Sequence, residues 1–156
     1  MRYVADTNVV SELMKREPSP RVVDWLMDHE GQVYLTSVTV KELYFGMLRL
    51  PDGKRKRLLD EAISGIVMDC SHRTFSYDAF CGYLCAKLHS QAIADGRTPT
   101  IEDLMIAAIC QRNDAVLLTR NVKDFTYLGI EVVNPFEPSS VDSANREEGS
   151  YAALVP

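Results

Sequence analysis

Short β-type runs alternating with segments of helical spacing leave this chain few ways to fold. Arg2–Ala5, Gln32–Thr36, Ala115–Thr119 and Ile130–Val133 read as strands, and Gly65–Asp69 as a further short one. Val9, Val10, Leu13 and Met14 recur at helical spacing. Helices are expected over Pro18–His29, Thr39–Leu50, Lys54–Ser64, Thr74–Ala94 and Thr100–Asn113. Pro51-Asp52-Gly53 marks a turn and Gly96 a helix stop. Strands spaced by helices argue for an α/β domain of three layers, α/β/α, around a mainly parallel sheet.

The 156 residues suit one such domain, expected over residues 1–136, followed by a polar tail at 137–156 rich in Ser, Asp and Glu. Whether Tyr151–Val155 docks somewhere is left open. The charge balance, 17 Lys+Arg against 22 Asp+Glu for a net −5, argues against a broadly cationic nucleic-acid binder and leaves room for a local basic patch. No run approaches the roughly 18 apolar residues of a membrane span, and Asp6 comes too early for the apolar centre of a signal peptide. The expectation is a cytoplasmic protein that does not enter the membrane. Cys70, Cys81, Cys85 and Cys110 form no C-x-x-C pair and read as buried, reduced thiols. His29, His72 and His89 lack metal-ligand spacing, and the chain carries no G-x-S-x-G, Walker or G-x-G-x-x-G loop.

What chemistry there is rests on acids. Taken singly, each has a structural reading. Asp6 and Asn8 suit a helix cap, Thr39-Val40-Lys41-Glu42 fits a capping box, Thr100-Ile101-Glu102-Asp103 resembles one, and Asn121-Val122-Lys123-Asp124 suits the cap of a short helix. Taken together, Asp6, Glu42 and Asn121/Asp124 each follow a predicted strand, which brings them to the carboxyl edge of a parallel sheet, where ligands bind. Asp103, in the first turn of its helix, reaches the same edge if that helix leads into the Ala115 strand. Carboxylates gathered there repel one another unless a cation balances them. Hard oxygen donors suit Mg²⁺, with Mn²⁺ as a substitute, and such ions activate water and clamp a phosphodiester.

Val4-Ala5-Asp6-Thr7-Asn8-Val9-Val10-Ser11-Glu12 resembles the opening of PIN-domain proteins, especially toxins of the VapC and FitB type. Ser37–Gly46, Asp103–Ala108 and Leu118–Phe125 resemble their later motifs, in order, over about residues 2 to 136. The resemblance implies a PIN-like fold and the toxin of a type II toxin–antitoxin pair, an Mg²⁺- or Mn²⁺-dependent endoribonuclease leaving a 3′-hydroxyl and a 5′-phosphate. It implies that Asp6, Glu42 and Asp103 are metal-binding and catalytic. The fourth position stays open between Asn121, a neutral ligand, and Asp124, which supplies the charge. Asp6 and Asp103 are expected to hold the ion and Glu42 to orient or deprotonate water. Thr7, Thr119 and Arg120 are candidate substrate contacts. The implied partners are an antitoxin whose tail covers the acidic cleft, an RNA substrate and a second copy in a homodimer or larger assembly, with DNA met only through the antitoxin.

Lys54, Arg55, Lys56 and Arg57 form a basic cluster able to guide RNA or merely to face solvent, and Arg16, Lys41, Arg120 and Lys123 are candidates to flank the cleft. Tyr44, Phe45, Met47, Leu48, Leu58 and Leu59 offer a partner face, with at least half of them expected in the core. A phosphatase of the haloacid dehalogenase type is the enzymatic alternative, but it needs an acid where Asn8 stands. A receiver domain needs a mid-chain phosphorylatable Asp that cannot be placed. A catalytically silent PIN-like module, repressing an operon with its DNA-binding antitoxin, is the non-enzymatic alternative.

Overall fold

The computed structural model describes residues 1–138, so the expected tail lies, from residue 139 on, outside the described residues. Strand β1 (Tyr3–Ala5) runs into helix α1 (Thr7–Leu13), followed by α2 (Pro20–Asp28), β2 (Val33–Thr36), α3 (Ser37–Leu48) and α4 (Lys54–Asp69). Then come β3 (Thr74–Phe75), α5 (Ala79–Ala94), α6 (Ile101–Asn113), β4 (Val116–Leu118), two 3₁₀ turns (Val122–Asp124 and Thr126–Leu128) and β5 (Val132–Val133).

The five strands are ordered β3-β2-β1-β4-β5, and every neighbouring pair is parallel. The chain builds outward from β1 to β3, then returns to place β4 on the other side of β1. The order therefore reverses between β1 and β4, where Ala5 pairs with Leu118. In open parallel sheets, the crevice beyond the carboxyl ends at such a reversal is where ligands bind. Asp6 and Thr119 are the next residues along these two strands.

Side-chain alternation divides the core into two. Val4 and Leu117 enter one apolar cluster with Cys81, Cys85, Leu104, Ile106 and Ile109 from α5 and α6. Ala5 and Leu118 enter the other, with Val9 and Val10 of α1, Val22 of α2 and Ile63 of α4. Helix α3 straddles the layers, giving Val38 to the first and Leu43 and Met47 to the second. The three layers are those expected. Cys81, Cys85 and Cys110 are buried, Cys70 is half-buried and all four are unbonded, as their spacing suggested.

The structure departs most from the expectation at three places. Gly65–Asp69 is not a strand but the last turns of α4, because Leu59, Ile63, Ile66, Val67 and Cys70 fall at i, i+4, i+7, i+8 and i+11 and pack as one stripe. Thr74–Phe75 is not the start of a long helix but edge strand β3, where the Phe75 ring stacks on Tyr34 at 4.6 Å. Asp78 then opens α5 by accepting from Cys81 N at 2.8 Å. Helix α3 starts at Ser37 rather than Thr39, because Thr36, still extended, is its cap and accepts from Thr39 N at 2.9 Å. The expected Thr39/Glu42 capping box is absent. Thr39 is buried inside the helix, and the Glu42 carboxylate turns elsewhere.

Candidate active site

Asp6 follows β1 and caps α1, which brings its carboxylate to the crevice edge. Its Oδ1 accepts from Thr7 N at 2.6 Å, and its Oδ2 accepts from Asn8 Nδ2 and from Thr119 Oγ1, both at 2.8 Å. Thr119 is fully buried, and its Oγ1 also accepts from Asn121 N at 3.1 Å. Asn8 accepts in turn from Arg120 N at 3.1 Å. Thr7 Oγ1 donates to Glu42 Oε2 at 2.6 Å, which joins α1 to α3. Asp103 comes from the first turn of α6, held by the Thr100 cap accepting from its N–H at 3.1 Å.

These three acids feel one another. Burial pushes the Asp6 carboxyl above its ordinary value against the pull of its donors, and the charge of Asp103 pushes the same way. Burial raises Glu42, with Asp6, Glu102 and Asp103 adding repulsion. Burial raises Asp103 as well, with Asp124 and then Glu102 adding to it. Lys41 is spent on Glu102, their charges 2.8 Å apart. Among the described residues no Lys, Arg or His pairs with Asp6, Glu42 or Asp103.

That donor set suits a hard divalent cation: carboxylate oxygens, partly dehydrated, mutually repelled and, among the described residues, in no ion pair with a basic side chain. The described residues nonetheless contain no three carboxylate, imidazole or thiolate groups close enough to enclose an ion by themselves. An ion there would take few protein oxygens and complete its shell with water, as Mg²⁺ commonly does. The five expected ligands are not brought together equally. Asp6, Glu42 and Asp103 interact, and Asp124 meets Asp103 in a neighbouring cleft. Asn121 is exposed, and its side chain makes no hydrogen bond among the described residues. Its expected cap is made by the backbone alone, Asp124 N donating to Asn121 O at 3.0 Å.

Two residues of the site take parts that the sequence did not suggest. Asn8 is not the cap its position suggested but a brace between Asp6, Thr119 and Arg120. Glu12, only 4% exposed, accepts from Lys15 Nζ at 2.6 Å and Ser19 N at 2.9 Å and lies 3.4 Å from Arg120 Nη2. The Arg120 guanidinium carbon sits 3.8 Å over the Phe136 ring, so this expected substrate contact is anchored from two sides.

From Thr7 and Glu42 a groove of about 850 Å³ runs between α1, α3 and α4. Its walls are Leu43, Met47, Leu58, Leu59 and Ile63, and Lys15, Arg16, Lys54 and Arg55 also line it. Lys54 and Arg55 thus lie along this groove, while Lys56 pairs with Asp52 at 2.9 Å. Of the expected partner face, Met47 is core and Tyr44 and Leu59 are half-buried against it, whereas Phe45, Leu48 and Leu58 are exposed.

An all-parallel sheet reversing at its centre, with acids from three elements at the reversal, defines a class of small α/β domains built around an acidic crevice. The PIN domain family matches residues 3–129, and the chain belongs to it. The VapC ribonuclease Y4jK of Sinorhizobium fredii is 33% identical over 138 residues, spanning 87% of this chain and 99% of that protein. Toxin FitB of Neisseria gonorrhoeae is 32% identical over 133 residues, spanning 84% and 96%. A solved structure of FitAB bound to an IR36 DNA fragment superposes with a TM-score of 0.81 at 29% identity, covering 88% of this chain and 97% of that one.

Proposed function

We propose that this chain is the toxin of a toxin–antitoxin pair and an endoribonuclease dependent on Mg²⁺ or Mn²⁺. The observation that carries this reading is the convergence of Asp6, Glu42 and Asp103, each raised by burial and by a neighbouring acid, with no basic side chain among the described residues paired to any of them. The names of the relatives, a ribonuclease and a toxin, agree with it.

Asp6 and Asp103 would hold the ion, with Asp124 or Asn121 beside them. When bound, the ion supplies charge for the phosphate and acidifies water. Glu42 has one oxygen fixed by the Thr7 hydroxyl, which leaves Oε1 to take a proton from the attacking water. A raised carboxyl is a better base than an ordinary one. Thr119 and Asn8 keep Asp6 in one rotamer through their donors, and Thr7 sets the spacing between Asp6 and Glu42. Arg120, anchored by Glu12 and Phe136, would meet the substrate phosphate.

The apolar groove suits an amphipathic segment of an antitoxin, with acidic residues toward Lys15, Arg16, Lys54 and Arg55 and a basic one reaching Glu42. Such a partner would supply DNA contact, and the toxin would pair with a second copy in the cytoplasm; the similar FitAB structure is a complex bound to a DNA fragment. Among the described residues no helix is long and apolar enough to cross a membrane.

The test is cleavage of a panel of structured RNAs by partner-free protein, with Mn²⁺ or EDTA, beside Asp6→Asn and Asp103→Asn. Metal-dependent cleavage lost in both folded variants supports the reading. Folded protein that neither cleaves nor gains melting temperature with Mn²⁺ is the silent module instead.

A further inference from the structure

A separate cleft of about 390 Å³ is lined by Arg97, Thr100, Asp103, Lys123, Asp124 and Tyr127 and shares no lining residue with the apolar groove. Its outer wall begins where α5 ends. Gly96 takes a φ of +69°, a conformation that favours glycine, and Arg97 N donates to Ala92 O at 2.8 Å, which closes the helix. The Arg97 guanidinium then lies over the half-buried Tyr127 ring, 4.3 Å from its centroid. Arg97 is itself exposed, as is Lys123 in the 3₁₀ turn opposite.

The cleft holds charges of both signs, Arg97 and Lys123 with Asp103 and Asp124. Among the described residues Arg97 and Lys123, like most of the Lys and Arg residues, are outside ion-pair distance of a carboxylate, whereas Lys15, Lys41, Lys56, Arg112 and Arg120 are within it. What distinguishes this pair is its place: one cation over an aromatic ring and one ammonium line the same cleft as the acids that would act on a phosphodiester. A planar guanidinium on a ring is a surface on which an unpaired base stacks, and an ammonium is a compact partner for a phosphate.

We propose that this cleft is the subsite for the nucleotide adjoining the scissile phosphodiester of a single-stranded RNA, its base on the Arg97–Tyr127 layer and its phosphate on Lys123. The assignment rests on the nuclease reading for the position of the scissile bond. It adds a requirement for an unpaired base, because a base inside a duplex has no free face to offer.

Binding and cleavage are measured separately, so that the two ideas fail separately. Binding uses a fluorescein-labelled, mixed-sequence 2′-O-methyl oligoribonucleotide, which resists cleavage, at several salt concentrations. The Arg97→Gln/Lys123→Gln variant binds about tenfold more weakly than the parent, and its salt slope falls by about 0.7 for each phosphate that is no longer neutralised. The same oligonucleotide annealed to its complement binds parent and variant alike. Cleavage compares an unmodified single strand with bis(p-nitrophenyl) phosphate, which has no flanking nucleotide. The variant loses kcat/KM on the strand and keeps it on the small ester.

Equal binding of the strand by parent and variant overturns the subsite while leaving the nuclease reading intact. So does an equal loss on both cleavage substrates, which would mark Arg97 and Lys123 as supports of the carboxylates. A parent that cleaves neither substrate yet shows the Arg97- and Lys123-dependent binding overturns the nuclease reading and supports the subsite as an RNA-binding cleft.

Discussion

Thr119 shows how much a single hydroxyl is asked to do at the centre of this fold. It donates to Asp6 and accepts from Asn121 N and Asn8 Nδ2, and no water reaches it. Thr119→Val keeps the shape and removes all three bonds, so stability should fall by about 1–3 kcal/mol, with cleavage reduced because Asp6 loses a donor that holds it. Thr119→Ser should restore them, as melting curves and initial rates will check. Glu12 is the opposite case, a carboxylate with a structural task. Its hydrogen bond from Lys15, then that from Ser19 N, hold its carboxyl below the ordinary 4.5. A lowered folded pKa gives stability that is present above 4.5 and lost as pH falls through the folded value. The melting-temperature gap between the parent and Glu12→Gln should therefore be open at neutral pH and close on acidification. A gap constant with pH would remove the charge from the explanation. Glu12 was hidden in the sequence because its distant partner, Arg120, is 108 residues away. Asp6 was legible because its strand and cap are local.

Among the elements, α6 carries most of the burden for the site. Its residues Leu104 and Ile106–Cys110 are all buried, so it is fixed in the core while its first turn emerges at the crevice. Thr100→Ala removes the cap that accepts from Asp103 N and should cost about 1 kcal/mol. Cleavage should drop by more than that stability loss explains, and Thr100→Ser should recover it; a rate unchanged in the alanine variant would detach the cap from the chemistry. The strands between buried helices were readable because their apolar runs are short and bounded. The misread boundaries share a cause: over Gly65–Asp69 a short apolar run fits strand and helix alike, and only the stripe continued from Leu59 decides. At Thr74–Phe75 the deciding fact is a neighbour, the Tyr34 ring on β2, which no local pattern contains. The cleft at Arg97 and Tyr127 was invisible for the same reason, since thirty positions separate its two stacked side chains.

At the scale of the whole molecule, the acids of the crevice are shared between two cavities of different chemistry, Glu42 lining an apolar groove and Asp103 a polar cleft of mixed charge. Leu58 is 54% exposed on the groove wall, so Leu58→Glu should leave the melting temperature nearly unchanged. It should weaken capture of a co-expressed antitoxin by tenfold or more, while RNA binding by the free protein stays as it was. An unchanged affinity would put the partner on another face. The sheet order has a consequence in time. Asp6 sits near the beginning of the chain, yet the hydroxyl that holds it lies 113 positions later. At about 5–20 residues per second, a ribosome needs roughly 6 to 23 seconds to travel between them. Throughout that interval β1 lacks its β4 neighbour, and any fragment released within it lacks the completed crevice. Under the proposed function, a chain still short of β4 has no finished site with which to cut the message it is being read from.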